Sequence, residues 1–168
     1  MIYEVLVLGL FPAAMAFAAA SDLVTMTISN RLSIVLVLGF FLLAAMTGMP
    51  LAEVGWHVLA SVLVLMVAFG FFARGWIGGG DAKLAAATAL WFGFSHLFNY
   101  LLVAALIGGV LTLLILELRR LPLPAALAGQ RWIARLHEVN GGIPYGIALA
   151  IAGLTVYPET SFMRALAG

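Results

Sequence analysis

The chain has 168 residues, of which 65% are hydrophobic and 9% charged, with a formal net charge of +1 and a mean hydropathy of +1.17. Soluble domains carry about 25% charged residues, so this composition excludes a soluble globule and describes a single membrane domain over residues 1–168. The absence of cysteine excludes disulfides, cysteine-based zinc sites and thiol nucleophiles.

A membrane span needs about 20 predominantly apolar residues. Residues 2–20 supply the first. Ala18-Ala19-Ala20 resembles a cleavage site, but Met1-Ile2-Tyr3-Glu4 lacks the basic residues of a secretory signal, so this stretch is expected to stay as a helix. Asp22 follows it. A second span runs from Leu32 to Met49, and a third from Val54 to Ala73. The run Arg74-Gly75-Trp76-Ile77-Gly78-Gly79-Gly80 is expected to be irregular, because glycines leave the backbone free. Ala82 to Phe94 form a short fourth span. Its pairs Ala82/Ala86 and Ala85/Ala89 let helices approach closely, which predicts a central helix. Leu97 to Leu116 make the fifth span and Ile143 to Tyr157 a short sixth. The expected architecture is an all-α polytopic membrane protein with about six transmembrane helices.

With six spans, Arg31, Arg74, Lys83, Arg119, Arg120, Arg131 and Arg135 fall on one side and Arg164 on the other. Basic residues accumulate on the cytoplasmic face. Both termini are therefore expected outside, with Asp22 and Asp81 together on the cytoplasmic side. The segment 117–142 reads as a cytoplasmic amphipathic loop, with Leu127, Trp132, Ile133 and Leu136 alternating with Gln130, Arg131 and Arg135. It is either a flap or lipid anchor, or an interfacial connector. His57, His96 and His137 show no metal-ligand spacing, so neither a metal nor a cofactor is expected. No basic stripe interleaved with aromatics speaks for nucleic acid; lipid is the expected surrounding.

A carboxylate beside lipid costs roughly 2.5–3.5 kcal/mol at a helix centre and marks a functional-site candidate. Asp81, behind Gly78, Gly79 and Gly80, is one, and Asp22 is its candidate partner. Two carboxylates held close resist ionising together and share a proton. The ionised member takes a proton from water while the protonated member polarises a carbonyl, which is amide hydrolysis without metal or thiol. Gly78 and Gly80 open space for an extended backbone, and Asp81 suits a helix cap. Lys83 is placed to hold negative charge or steady the loop. Gly-Gly-Gly-Asp is equally a plain turn and helix-start sequence.

The stretch from Ser21 to Asn30, in which Asp22 precedes Asn30 by eight residues, resembles the first aspartate motif of the type IV prepilin peptidases. Gly78-Gly79-Gly80-Asp81-Ala82-Lys83 is similar to that family's Gly-x-Gly-Asp signature with its following lysine. Ile143-Pro144-Tyr145-Gly146 resembles the Pro-aromatic-Gly element opening its last helix. The resemblance implies an aspartyl protease of the bacterial inner membrane that removes the basic leader of prepilins at the cytoplasmic face. It implies Asp22 and Asp81 as the catalytic pair, with Gly78, Gly80, Asn30, Lys83, Pro144, Tyr145 and Gly146 in support. Its implied partners are prepilins of a type IV or Flp pilus or a related secretion system. Larger members also N-methylate the new terminus and carry a cysteine-rich zinc region; this chain is similar to the minimal Flp/Tad form, for which no methyltransferase is expected.

Two departures stand out. Val24, Thr25, Met26 and Thr27 are uncharged where many relatives are basic, and Ser29 replaces a common proline. Glu117 and Glu138 are then candidate contacts for a basic leader. The alternative reading is a small transporter or proton-conducting protein using both aspartates as relay groups, and a third is a structural subunit of a pilus machine.

Overall fold

The computed structural model describes residues 2–124, 127, 129–139 and 141–167. Among them every regular element is helical: α1 (Ile2–Thr25), α2 (Asn30–Thr47), α3 (Leu51–Ala73), α4 (Gly79–Arg120), α5 (Arg131–His137), α6 (Tyr145–Val156), a 3-10 turn (Tyr157–Glu159) and α7 (Ser161–Ala167). The first four are long and apolar enough to cross a membrane. The chain is a polytopic all-α membrane protein.

The fourth and fifth expected spans are two arms of α4, residues 79–92 and 94–120. They meet at Gly93, whose φ of 53° and ψ of −169° leave the helical region. In a straight helix the 16-residue step from Ala85 to Leu101 would be roughly 24 Å. Instead both line one cavity with Val64 and Ala68, and the Phe92 and Tyr100 ring centroids lie 5.1 Å apart. The chain therefore doubles back at Gly93. A Cβ there would lie 2.9 Å from the His57 ring, so both the conformation and the space require glycine.

The first arm of α4 is the centre of the bundle, as its alanines predicted. Ala82 and every residue from Leu84 to Gly93 are buried. Ser61 of α3 donates to the Ala86 carbonyl at 2.8 Å, and Trp91 Nε1 to the Leu36 carbonyl at 3.0 Å. Around Phe11 of α1 gather Trp91 at 5.0 Å, Phe92 at 5.7 Å and Tyr157, stacked at 4.3 Å. These contacts lock the end of the bundle opposite the aspartates. Such aromatic pairs add about 0.5–1.5 kcal/mol each beyond burial.

Three expected boundaries are corrected. α1 continues to Thr25, so Asp22 lies inside its last turns rather than after it. The helix stops at Met26, which adopts a left-handed φ of 55°. Gly79 and Gly80 are helical, not irregular: the Asp81 side chain reaches back to the Gly78 amide and caps the start. Finally, α4 carries Glu117 to Arg120, so the regular part of the amphipathic segment shrinks to Arg131–His137. Its Leu136 is buried and Trp132 and Ile133 half-buried, while Leu127 is exposed. Ala125, Ala126, Ala128 and Asn140 of that expected loop lie outside the described residues.

Candidate active site

Asp22 and Asp81 come from helices that run in opposite directions through the bundle and meet at one end. Asp22 is buried, at 4% exposure, and burying a lone carboxylate is costly unless it is hydrogen-bonded. Its partner is the Gly146 amide at the start of α6, which donates to Oδ2 at 2.7 Å. Pro144 is the residue before that helix; the Tyr145 and Ile147 amides turn to the Ile143 and Pro144 carbonyls, and the Gly146 amide between them, without an intrahelical acceptor, takes the carboxylate. Asp81 occupies the first turn of α4, and its Oδ2 accepts the Gly78 amide at 3.3 Å. Asp81 lies close enough to feel the charge of Asp22 and the dipole of the Gly146 amide. The Gly146 amide thus binds one carboxylate with the other close by, although the two are 59 residues apart in sequence.

The glycines act through space rather than through freedom. A Cβ on Gly146 would sit 2.8 Å from Asp22 Oδ2 and 2.6 Å from Ile28 Cδ1. On Gly80 it would meet Ile28 Cβ at 3.0 Å, and on Gly78 the Asp81 Oδ2 at 2.9 Å. Buried Ile28, which no sequence signal singled out, is the wedge around which Gly80 and Gly146 close.

Lys83 does not hold a carboxylate. Its Nζ donates to Asn30 Oδ1 at 2.8 Å and ties the first turn of α4 to the first turn of α2. The uncharged loop between Asp22 and Asn30 is braced by hydroxyls. Thr25 Oγ1 lies 2.7 Å from Thr27 Oγ1 and donates to the Ser21 carbonyl at 2.7 Å, while Ser21 Oγ donates to the Thr27 carbonyl at 2.9 Å. Ser29 caps α2 by accepting the Arg31 amide at 3.2 Å, with a φ of −67° that a proline shares.

Tyr145 is engaged by the second arm of α4. Its hydroxyl meets Thr112 Oγ1 at 3.0 Å on the second arm of α4. Arg119 of that arm donates from Nε to the Leu136 carbonyl and from Nη2 to the Gly142 carbonyl, both at 2.8 Å. Arg135 of α5 donates to the Val24 carbonyl at 3.3 Å, over the end of α1. In the sequence these arginines only marked a cytoplasmic side. The two glutamates offered for a basic leader are not joined to the pair: Glu117 is bound to Arg120 at 2.8 Å, and Glu138 is exposed beside Arg131 and Arg135.

The type IV leader peptidase family model matches residues 9–113, which include both aspartates and the glycine run but not Gly146. The chain is also 32% identical over 140 residues to a prepilin leader peptidase/N-methyltransferase of Dickeya chrysanthemi. That match covers 80% of this chain and 47% of the relative, so the chain spans about half the length of the curated relative it matches. No solved structure matches it.

Proposed function

The chain belongs to the type IV leader peptidase family, and we propose that it is a membrane aspartic endopeptidase that cleaves the basic leader of type IV or Flp prepilins. The observation that carries this reading is the Gly146 amide held against Asp22 with Asp81 beside it. In the reaction we assign, a water lies between the two carboxyl groups. The ionised carboxylate takes a proton from it as the water oxygen adds to the scissile carbonyl carbon. The protonated carboxyl hydrogen-bonds the carbonyl oxygen. The tetrahedral intermediate then collapses, the C–N bond breaks, and the departing nitrogen takes a proton from the pair. The titration belongs to both groups, so neither aspartate is fixed as acid or base.

Residues 1–168 form one domain in this reading, lodged in the bacterial inner membrane with both termini outside and the aspartates at the cytoplasmic face. The basic residues support that orientation, because Arg31, Arg74, Lys83, Arg119, Arg120, Arg131 and Arg135 share the aspartate end. A proton relay would need to continue toward the opposite end. Among the described residues Asp22 is the one fully buried carboxylate, and of the other buried polar groups Thr88 faces the Met15 sulfur at 3.9 Å, while Trp91 and Tyr157 donate to the Leu36 and Val7 carbonyls. The relative's name includes an N-methyltransferase; we assign this chain the peptidase step, whose product carries an unmethylated terminal amine.

Asp22→Asn and Asp81→Asn are each expected to abolish cleavage of a co-expressed prepilin, with the protein still present in the membrane fraction. Cleavage by either variant at the wild-type rate removes the assignment. Mass spectrometry of the mature N-terminus reads methylation in the same experiment.

A further inference from the structure

The Gly146 amide serves Asp22 as the Gly78 amide serves Asp81, and the start of α6 that presents it must be held in place by its neighbours. The residues that do so lie on the second arm of α4. A Cβ on Gly108 would lie 2.9 Å from the Tyr145 ring, so the ring rests directly on the α4 backbone. One turn further, Thr112 meets the Tyr145 hydroxyl at 3.0 Å. Thr112 and Arg119 follow Gly108 by four and eleven positions; at 3.6 residues per turn all three fall within roughly 40° on one helix face.

Arg119 is the unusual member. A guanidinium at a helix end ordinarily faces water or an acid, as its neighbour Arg120 does with Glu117 at 2.8 Å. Arg119 instead turns inward, half-buried, and spends two arms on the carbonyls of Leu136 and Gly142. Those carbonyls bracket the turn between α5 and α6, where the Gly141 amide donates to the Glu138 carbonyl at 2.9 Å. The turn is packed onto the guanidinium: a Cβ on Gly141 would meet Arg119 Nη2 at 3.3 Å and the Arg135 and Glu138 carbonyls at 3.0 Å. The planar fork is what lets one side chain bind two carbonyls in fixed directions.

We propose that the face Gly108, Thr112 and Arg119 is the scaffold that aims the Gly146 amide at Asp22, and that Thr112 and Arg119 are positioning residues of the peptidase. The inference rests on the aspartate-pair reading and adds two side chains to it. Neither touches a carboxylate. Both act through the segment 142–146, anchored by Arg119 at its first residue and by Thr112 through Tyr145.

The test uses the full chain in detergent with a prepilin substrate, measuring kcat, KM and thermal midpoint for Thr112→Val, Arg119→Met and Arg119→Lys. A misplacement of about 1 Å at a reacting centre costs on the order of 100-fold in rate. Arg119→Met is therefore expected to lower kcat roughly 10- to 100-fold, with KM within about two-fold of wild type, because the amide and not the substrate has moved. Arg119→Lys, which reaches one carbonyl, is expected to recover part of the loss. Thr112→Val lowers kcat less, since Gly108 still supports the ring. Arg119→Met with unchanged kcat overturns the proposal, as does a fall in thermal midpoint with no kcat loss at a temperature where the variant stays folded. Asp22→Asn run alongside separates the two ideas: if it still cleaves, the peptidase reading has failed, whereas an inactive Asp22→Asn beside a fully active Arg119→Met leaves that reading standing and removes the scaffold.

Discussion

Gly146→Ala is the sharpest perturbation available, because it adds one methyl group where the carboxylate and its donor meet. The new Cβ would lie 2.6 Å from Ile28 Cδ1, 2.8 Å from Asp22 Oδ2 and 3.0 Å from Asp22 Cγ. The isoleucine contact is cheap to relieve, since Cδ1 ends a flexible side chain. The carboxylate is not: it is held to the Gly146 amide at 2.7 Å and buried on its remaining sides. To restore ordinary carbon–oxygen contact it must retreat by about half an ångström, and it then loses that bond or its approach to Asp81. Overpacking of this kind costs roughly 1–3 kcal/mol, and displacement of a reacting group costs on the order of 100-fold in rate. Gly153→Ala is the matched control on the same helix: its Cβ would meet Met15 Sδ at 3.1 Å, away from the site. Cleavage of a prepilin, followed by gel mobility, together with the thermal midpoint of each purified variant, separates the two effects. Gly146→Ala should lose activity out of proportion to stability, and Gly153→Ala should lose stability with activity kept. If Gly146→Ala cleaves at the wild-type rate, the amide is not part of the reacting geometry and the reasoning fails.

Two further outcomes follow from the fold. Gly93→Ala should destabilise the protein by roughly 2 kcal/mol or more, since it combines a glycine-only conformation with a clash against the His57 ring; a wild-type thermal midpoint would mean that α4 does not double back there. The cysteine-free chain suits single-cysteine labelling with an impermeant reagent, and Leu51→Cys and Val139→Cys sit at exposed positions, 88% and 79% accessible. They are expected to label from opposite sides of the membrane, and labelling of both from the outside would refute the orientation.

The parts of this protein that were legible in sequence are those carried by composition and local spacing. Apolar runs announced the helices because lipid demands them at a fixed length. The alanines at 82, 85, 86 and 89 announced a central helix because only small side chains fit there. Asp22, Asp81 and their glycines stood out because a carboxylate in an apolar chain needs a reason. Lys83 was read as a holder of charge or a brace, and the structure makes it a brace through Asn30.

What remained hidden depended on partners distant along the chain. Ile28 looks like any loop isoleucine until Gly80 and Gly146 are seen closing on it from two helices. Arg119 and Arg120 are identical in sequence terms, and both serve the charge asymmetry equally. Only the carbonyls of Leu136 and Gly142 make one an inward clasp, while the other stays a surface ion pair. The doubling back at Gly93 was readable as a gap between two apolar runs, but its reason is the His57 ring pressed against it.

The sequence by itself determined that this is a helical membrane protein with two acids at one end, because hydropathy, charge asymmetry and motif spacing are properties of short segments. Tertiary structure alone decided that the two acids stand near each other, that the Gly146 amide holds Asp22, and that Tyr145 and Gly142 beside it rest on the second arm of α4. The physical reason is that a hydrogen bond requires its atoms within about 3 Å. Only the packing of α1, α4 and α6 around one point brings atoms 59 and 124 positions from Asp22 to that distance or beside it.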